Sequence, residues 1–356
     1  SSGTANTGGG GGGADNNGNG GAGGSGIVII RFNALGNGTP GVTTSTTTTS
    51  TTTTLEYVFC VAGVNNGADS TNVYYAPLLQ TGGVGSWTST NSYGVATDSH
   101  ACTAYGGYVY CSGGGVTSSY SARLTTGGTT SWSSTTALPT ASYDSAVHCV
   151  SNAGYMYCIQ GDQSGGCSTG LDYYATVGSG TIGSWSSTTA YPVCDYSATC
   201  VNNGGTVYCT TGTTLPYPTY IGNSYGATLS SGGISSWTTG ATNPANGPYG
   251  GCVYYSGYLY CVGGYPGSYI NSVEYASVTG TTINSWASTN SYPINIYENS
   301  CVTYNGYIDC IGGYTGATSL TSVYYGALSS GGVTAWTSSN SYPANVYAQS
   351  CVIGPG

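Results

Sequence analysis

The chain has 356 residues, a formal net charge of −9 and only 4% charged side chains, with two arginines, no lysine and two histidines. So little positive charge cannot neutralise phosphates, which excludes nucleic acid and anionic membrane as partners, and no apolar run nears the roughly 18 residues of a membrane-spanning helix. The 36 Tyr, 6 Trp and 14 Cys set beside 62 Gly argue for a folded, secreted β protein and against disorder.

Residues 1–26 are a tail made almost entirely of Gly, Asn, Ser and Ala. Residues 27–35 begin with a lone aliphatic strand, Ile27, Val28, Ile29, Ile30, Arg31 and Phe32. Alone, it would present a flat apolar edge, so it is expected either to lie along an outer edge of its own molecule or to add as a donor strand to a neighbouring copy. Residues 36–54 form a Ser/Thr linker, with the one Asn-X-Ser/Thr sequon of the chain at Asn37 and a hydroxyl run made of Thr43, Thr44, Ser45, Thr46, Thr47, Thr48, Thr49, Ser50, Thr51, Thr52, Thr53 and Thr54. Sugar is expected on Asn37 and on those threonines. Residues 55–356 carry everything else.

Five cysteine pairs there are nine residues apart: Cys102 and Cys111, Cys149 and Cys158, Cys200 and Cys209, Cys252 and Cys261, Cys301 and Cys310. A glycine-bearing dipeptide sits in the middle of each, Asn305-Gly306 for example, and signals a two-residue hairpin turn. Counting outward from that turn sets Tyr304 opposite Tyr307 and Cys301 opposite Cys310, on a non-hydrogen-bonded site where a disulfide fits. Cys351 stands in a first-strand context and Cys60 in a second-strand context, so the last strand is expected to pair with the first and close a ring. Cys167 and Cys194 remain and are expected to pair with each other. Seven disulfides imply an oxidising, extracellular or cell-surface location.

Tryptophans at 87, 132, 185, 237, 286 and 336 are spaced by 45, 53, 52, 49 and 50 residues, which makes six units. One unit reads Ser300 to Gly313, a hairpin ending in a glycine doublet, then a Tyr-bearing strand at Ser322–Leu328 and a Trp-bearing strand at Val333–Trp336. With the doublets Gly113-Gly114, Gly263-Gly264 and Gly312-Gly313, this pattern resembles the kelch repeat, whose units of about 50 residues assemble into propellers. The resemblance implies an all-β fold, a six-bladed β-propeller with four-stranded antiparallel blades. The Gly-rich tail running into Gly-Ser-Gly-Ile-Val-Ile-Ile-Arg is similar to segments of surface and tail-fibre proteins.

Chemistry is sparse. His100 and His148 stand two and one residues before a first-strand cysteine, positions of opposite phase in a strand, so they are expected on opposite faces and no metal site follows. Asp98, Asp144, Asp195 and Glu298 each stand three to five residues before a first-strand cysteine and are expected on one face, as solvated carboxylates or as a weak cation mouth. No Ser-His-Asp order, acid–base pair or phosphate loop is present, so neither an enzyme nor a cofactor is expected. The sequence reading is a structural subunit of an extracellular filament or surface assembly, polymerising with copies of itself through Ile27–Phe32. The alternative is a monomeric adhesin or glycan-binding propeller on a glycosylated stalk.

Overall fold

The computed structural model describes residues 56–140, 147–160, 172–193, 197–214, 219–245, 247–248 and 250–355. The tail, the Ile27–Phe32 segment, Asn37, the Thr43–Thr54 run, Asp144, Asp195 and the Cys167–Cys194 pair lie outside them. Contacts gather residues 53–356 into one compact unit. The described residues are all-β and contain six antiparallel sheets of four or five strands, with a three-stranded sheet of short strands beside them.

Sheet 1 joins the two ends of this unit, in the order Ser350–Pro355, Glu56–Val61, Val73–Pro77 and Thr88–Ser89. The other five follow in chain order, and each opens with an edge strand that carries a cysteine: His100–Tyr105 in sheet 2, Val147–Asn152 in sheet 3, Thr199–Asn203 in sheet 4, Gly251–Tyr255 in sheet 5 and Ser300–Tyr304 in sheet 6. In sheet 1 that place belongs to Ser350–Pro355. The edge strands of sheets 2 to 6 each turn back through a two-residue loop, which needs positive φ at its centre. Asn305 (φ 47°) and Gly306 (φ 83°) supply it in sheet 6. The turn then fixes the ladder, Tyr304 opposite Tyr307 and Cys301 opposite Cys310.

Disulfides join 102 to 111, 149 to 158, 200 to 209, 252 to 261 and 301 to 310, and a sixth joins Cys60 to Cys351 across the first and last strands. Their Cα atoms stand 4.0–4.1 Å apart, the close approach of a non-hydrogen-bonded antiparallel pair. No described cysteine is free. These bonds place the unit in an oxidising environment, and no described helix is long and apolar enough to cross a membrane.

The outer strand of four sheets is broken in two, as at Gly128–Thr129 and Ser133–Thr135. In three of them a hydroxyl intrudes on the ladder. Arg123 N donates to Thr130 Oγ1 (3.0 Å), Thr228 N to Ser235 Oγ (2.9 Å) and Ala327 N to Thr334 Oγ1 (2.9 Å). A side chain there replaces the backbone acceptor and interrupts the pairing.

The core is divided into six clusters, each lying between two sheets. Phe59 and Val61 meet Val109 and Leu124 between sheets 1 and 2, and Val58 and Leu78 meet Ile311 and Val323 between sheets 1 and 6. Every tryptophan ties its sheet to the preceding one by donating from Nε1 to a backbone carbonyl: Trp132 to Asn91, Trp185 to Thr136, Trp237 to Thr189, Trp286 to Ala241 and Trp336 to Asn290, at 3.0–3.4 Å. Trp87 of sheet 1 donates to Asn340 O of sheet 6 (3.1 Å). Edge-to-face tyrosines such as Tyr292 on Trp336 (4.9 Å) add to these contacts, each pair contributing about 1 kcal/mol beyond its buried area.

Candidate functional site

The six edge strands begin around one cavity of about 210 Å³. Four of them are entered through a residue in the left-handed region, Ser99 (φ 51°), Ser197 (φ 76°), Glu298 (φ 52°) and Ala348 (φ 54°), each three residues before its cysteine. Such residues are uncommon outside turns. Here they swing the chain into the edge strand and bring His100, Ala101, Thr199, Asn299, Ser300, Gln349 and Ser350 to the cavity wall.

Neighbouring edge strands are joined by polar side chains where no ladder connects them. Cys102 N donates to Ser350 Oγ (2.9 Å), Cys351 N to Ser300 Oγ (3.1 Å) and Gly251 N to Asn299 Oδ1 (3.3 Å). Thr199 Oγ1 donates to Gly250 O (2.8 Å), Asn202 Nδ2 to Ser151 O (2.8 Å) and Thr103 Oγ1 to Ser151 Oγ (2.8 Å).

Both histidines line this cavity, which corrects the expectation that alternation would part them. The strands that carry them are sheet edges, and an edge presents side chains of both faces to the space beside it. His100 is stacked on Tyr93 at 5.3 Å, and burial pushes both imidazoles down to about 4, so both are neutral near pH 7. Of the four carboxylates, Asp98 and Glu298 come together. Burial, with the Asp98 charge added, pushes the Glu298 carboxyl up to about 8.

No metal centre forms among the described residues. The single group of candidate ligands within reach of one another is His100, Cys102 and Cys111, and its two sulfurs are bonded together.

Beside the cavity runs an arc of half-buried tyrosines. Tyr347 meets Tyr314 (5.1 Å), Tyr314 meets Tyr297 (5.7 Å), Tyr297 meets Tyr269 (5.3 Å), Tyr269 meets Tyr265 (4.9 Å) and Tyr265 meets Tyr220 (5.9 Å). Tyr297 and Tyr347 immediately precede the cavity residues Glu298 and Ala348. Burial pushes both hydroxyls up, and the Glu298 charge adds to it. The sequence pattern does not single out these six among 36 tyrosines. A signal is present in hindsight: Tyr265 and Tyr314 each follow a glycine doublet, and Tyr297 and Tyr347 each stand four residues before a cysteine.

Chemically, the site offers neutral hydrogen-bonding groups, flat aromatic surface and carboxylates, with neither lysine nor arginine in its wall. It suits recognition of an uncharged polar molecule. Compared with known proteins, the chain matches no family model and no curated protein sequence.

Proposed function

We propose that the six sheets are the blades of a closed, kelch-like six-bladed propeller, secreted and non-catalytic, that binds glycans through the tyrosine arc as an adhesive module on a stalk. Closure is supported by three sets of contacts that run from each sheet to the next and from the sixth to the first: the tryptophan bonds, the polar bonds between edge strands, and the six core clusters. The observation that carries the binding reading is the arc from Tyr347 to Tyr220, a continuous aromatic strip left half-buried beside a polar cavity. Aromatic faces edged with hydroxyls are suited to the apolar faces and polar rims of sugar rings. A glycan array probed with the intact chain tests this. Tyr269→Ala should weaken the bound signals by about tenfold, the loss of about 1.4 kcal/mol, and Leu79→Ser, at an exposed residue in the turn that follows Val73–Pro77, should leave them unchanged. No bound glycan, or equal binding by Tyr269→Ala, would remove the reading.

The apolar run Ile27–Phe32 favours a second reading, a filament subunit that polymerises by strand addition. Leu79 is the one large apolar side chain exposed among the described residues, so self-association without the tail would lack an apolar handle. In negative-stain images the intact chain should then form fibres, and a chain without residues 1–35 should give single particles. Fibres from the truncated chain would rule the strand out as the connector.

A further inference from the structure

The cavity contains polar groups that nothing in the fold uses. Both ring nitrogens of His100, Ser197 Oγ and Gln349 Oε1 have no hydrogen-bond partner, although the three residues are only 5%, 2% and 6% exposed. Burying such a group without a partner is costly, and all three line the same space. Gln349 is held in place because its Nε2 donates to Ile311 O (2.8 Å), which leaves Oε1 as a fixed acceptor. A neutral imidazole offers one donor and one acceptor, and a serine hydroxyl does both. His148, Thr199 and Ser300 extend the same mixed character along the wall. An anion finds no cation in that wall, and the one described trio of candidate metal ligands, His100, Cys102 and Cys111, has its two sulfurs bonded together. The one acid of the wall, Glu298, has its carboxyl pushed up to about 8 by burial and so is uncharged near pH 7; a molecule that both donates and accepts at several points, and carries no charge, satisfies the wall.

We propose that the cavity takes the terminal sugar of a glycan whose following residues lie across the tyrosine arc. The inference rests on the binding function proposed above and adds end-on capture to it. The wall contacts one sugar ring, and the arc, starting at Tyr297 and Tyr347 beside the wall, contacts the chain behind it. A terminal sugar is therefore read by hydrogen bonds, and the remainder is held by stacking.

Titration calorimetry on the intact chain tests this, with glucose, galactose, mannose and N-acetylglucosamine, each alone and as short oligomers, and with choline as the cationic probe. One of the sugars should bind alone, and its oligomer about tenfold or more tightly. Ser197→Ala and Gln349→Leu should each weaken sugar and oligomer alike by about tenfold, whereas Tyr269→Ala should weaken only the oligomer. Ser197→Ala removes a single oxygen and guards against a folding failure of the larger change, and melting curves of each variant confirm the fold. If oligomers bind and respond to Tyr269→Ala but neither cavity variant affects them, the end-on inference is overturned and the binding function stands. If no sugar binds in any form, both fall. Choline binding that depends on Ser197 or Gln349 would overturn the sugar assignment in favour of an organic cation.

Discussion

Asp309 breaks a pattern that its neighbours keep. The residue just before the second hairpin cysteine is Tyr110, Tyr157, Tyr208 and Tyr260 in sheets 2 to 5. Each hydroxyl reaches an outer turn of the following sheet: Tyr110 accepts from Gly180 N (3.2 Å), and the others donate to Ser230 O, Gly280 O and Ser329 O (2.6–2.7 Å). In sheet 6 the place is taken by Asp309, which is 1% exposed. The turn it faces is packed against two tyrosines of sheet 6. A Cβ on Gly82, where φ is 84°, would fall 2.4 Å from Tyr325 and 2.5 Å from Tyr307. Burial pushes the Asp309 carboxyl up to about 7, against the opposing help of the Gly83 N–H. The native state then holds a proton that the unfolded chain gives up near pH 4, so the stability owed to Asp309 is fully present below about pH 4 and is lost as pH rises to about 7, by up to about 4 kcal/mol. Thermal melts of the protein and of Asp309→Asn across this range should show the variant gaining on the protein as pH rises, since the slopes owed to Glu298, His100 and His148 are common to both. An unchanged profile would mean that the carboxylate is solvated in the native state.

At the scale of strands, what could be read in the sequence depended on how local the cause was. The hairpins were legible because a two-residue turn and a spacing of nine are sufficient to set a ladder, down to Thr303 opposite Ile308. The pairing of Glu56–Val61 with Ser350–Pro355 was legible for a related reason, since each lone cysteine kept the context of its missing partner. The split outer strands were not, because Thr130, Ser235 and Thr334 look like ordinary strand residues until their hydroxyls are seen to take a ladder N–H. Nor was the site. His100 and His148 were assigned by alternation, which holds for the face of a sheet and fails at its edge. The tyrosine arc draws on four loops and strand ends far apart in sequence, Tyr220, Tyr265 with Tyr269, Tyr297 with Tyr314, and Tyr347, and no local pattern reports such a meeting.

For the whole unit, the Cys60–Cys351 bond differs in kind from the other five. Its sulfurs are 291 residues apart in sequence, against nine for each hairpin bond. In the chain-entropy account a loop of that length restrains the unfolded state by about 5 kcal/mol, and a hairpin loop by about 2–3 kcal/mol. Urea unfolding should therefore separate them. Replacing Cys60 and Cys351 together by Ala should cost roughly twice what replacing Cys252 and Cys261 costs. Equal losses would mean that both act mainly through native packing, not through the freedom of the unfolded chain.

That same bond decides what the molecule does under tension. A load arriving through the linker reaches Glu56–Val61 first, an inner strand of sheet 1. Four residues further on it meets Cys60 and crosses to Cys351, so the strand cannot be peeled from its partner without breaking a covalent bond. The residues enclosed by the sulfurs are short-circuited, and those beyond each hairpin bond are shielded again. Stretched between its two ends, the oxidised unit can release only the few residues outside positions 60 and 351, so it is inextensible until a covalent bond breaks.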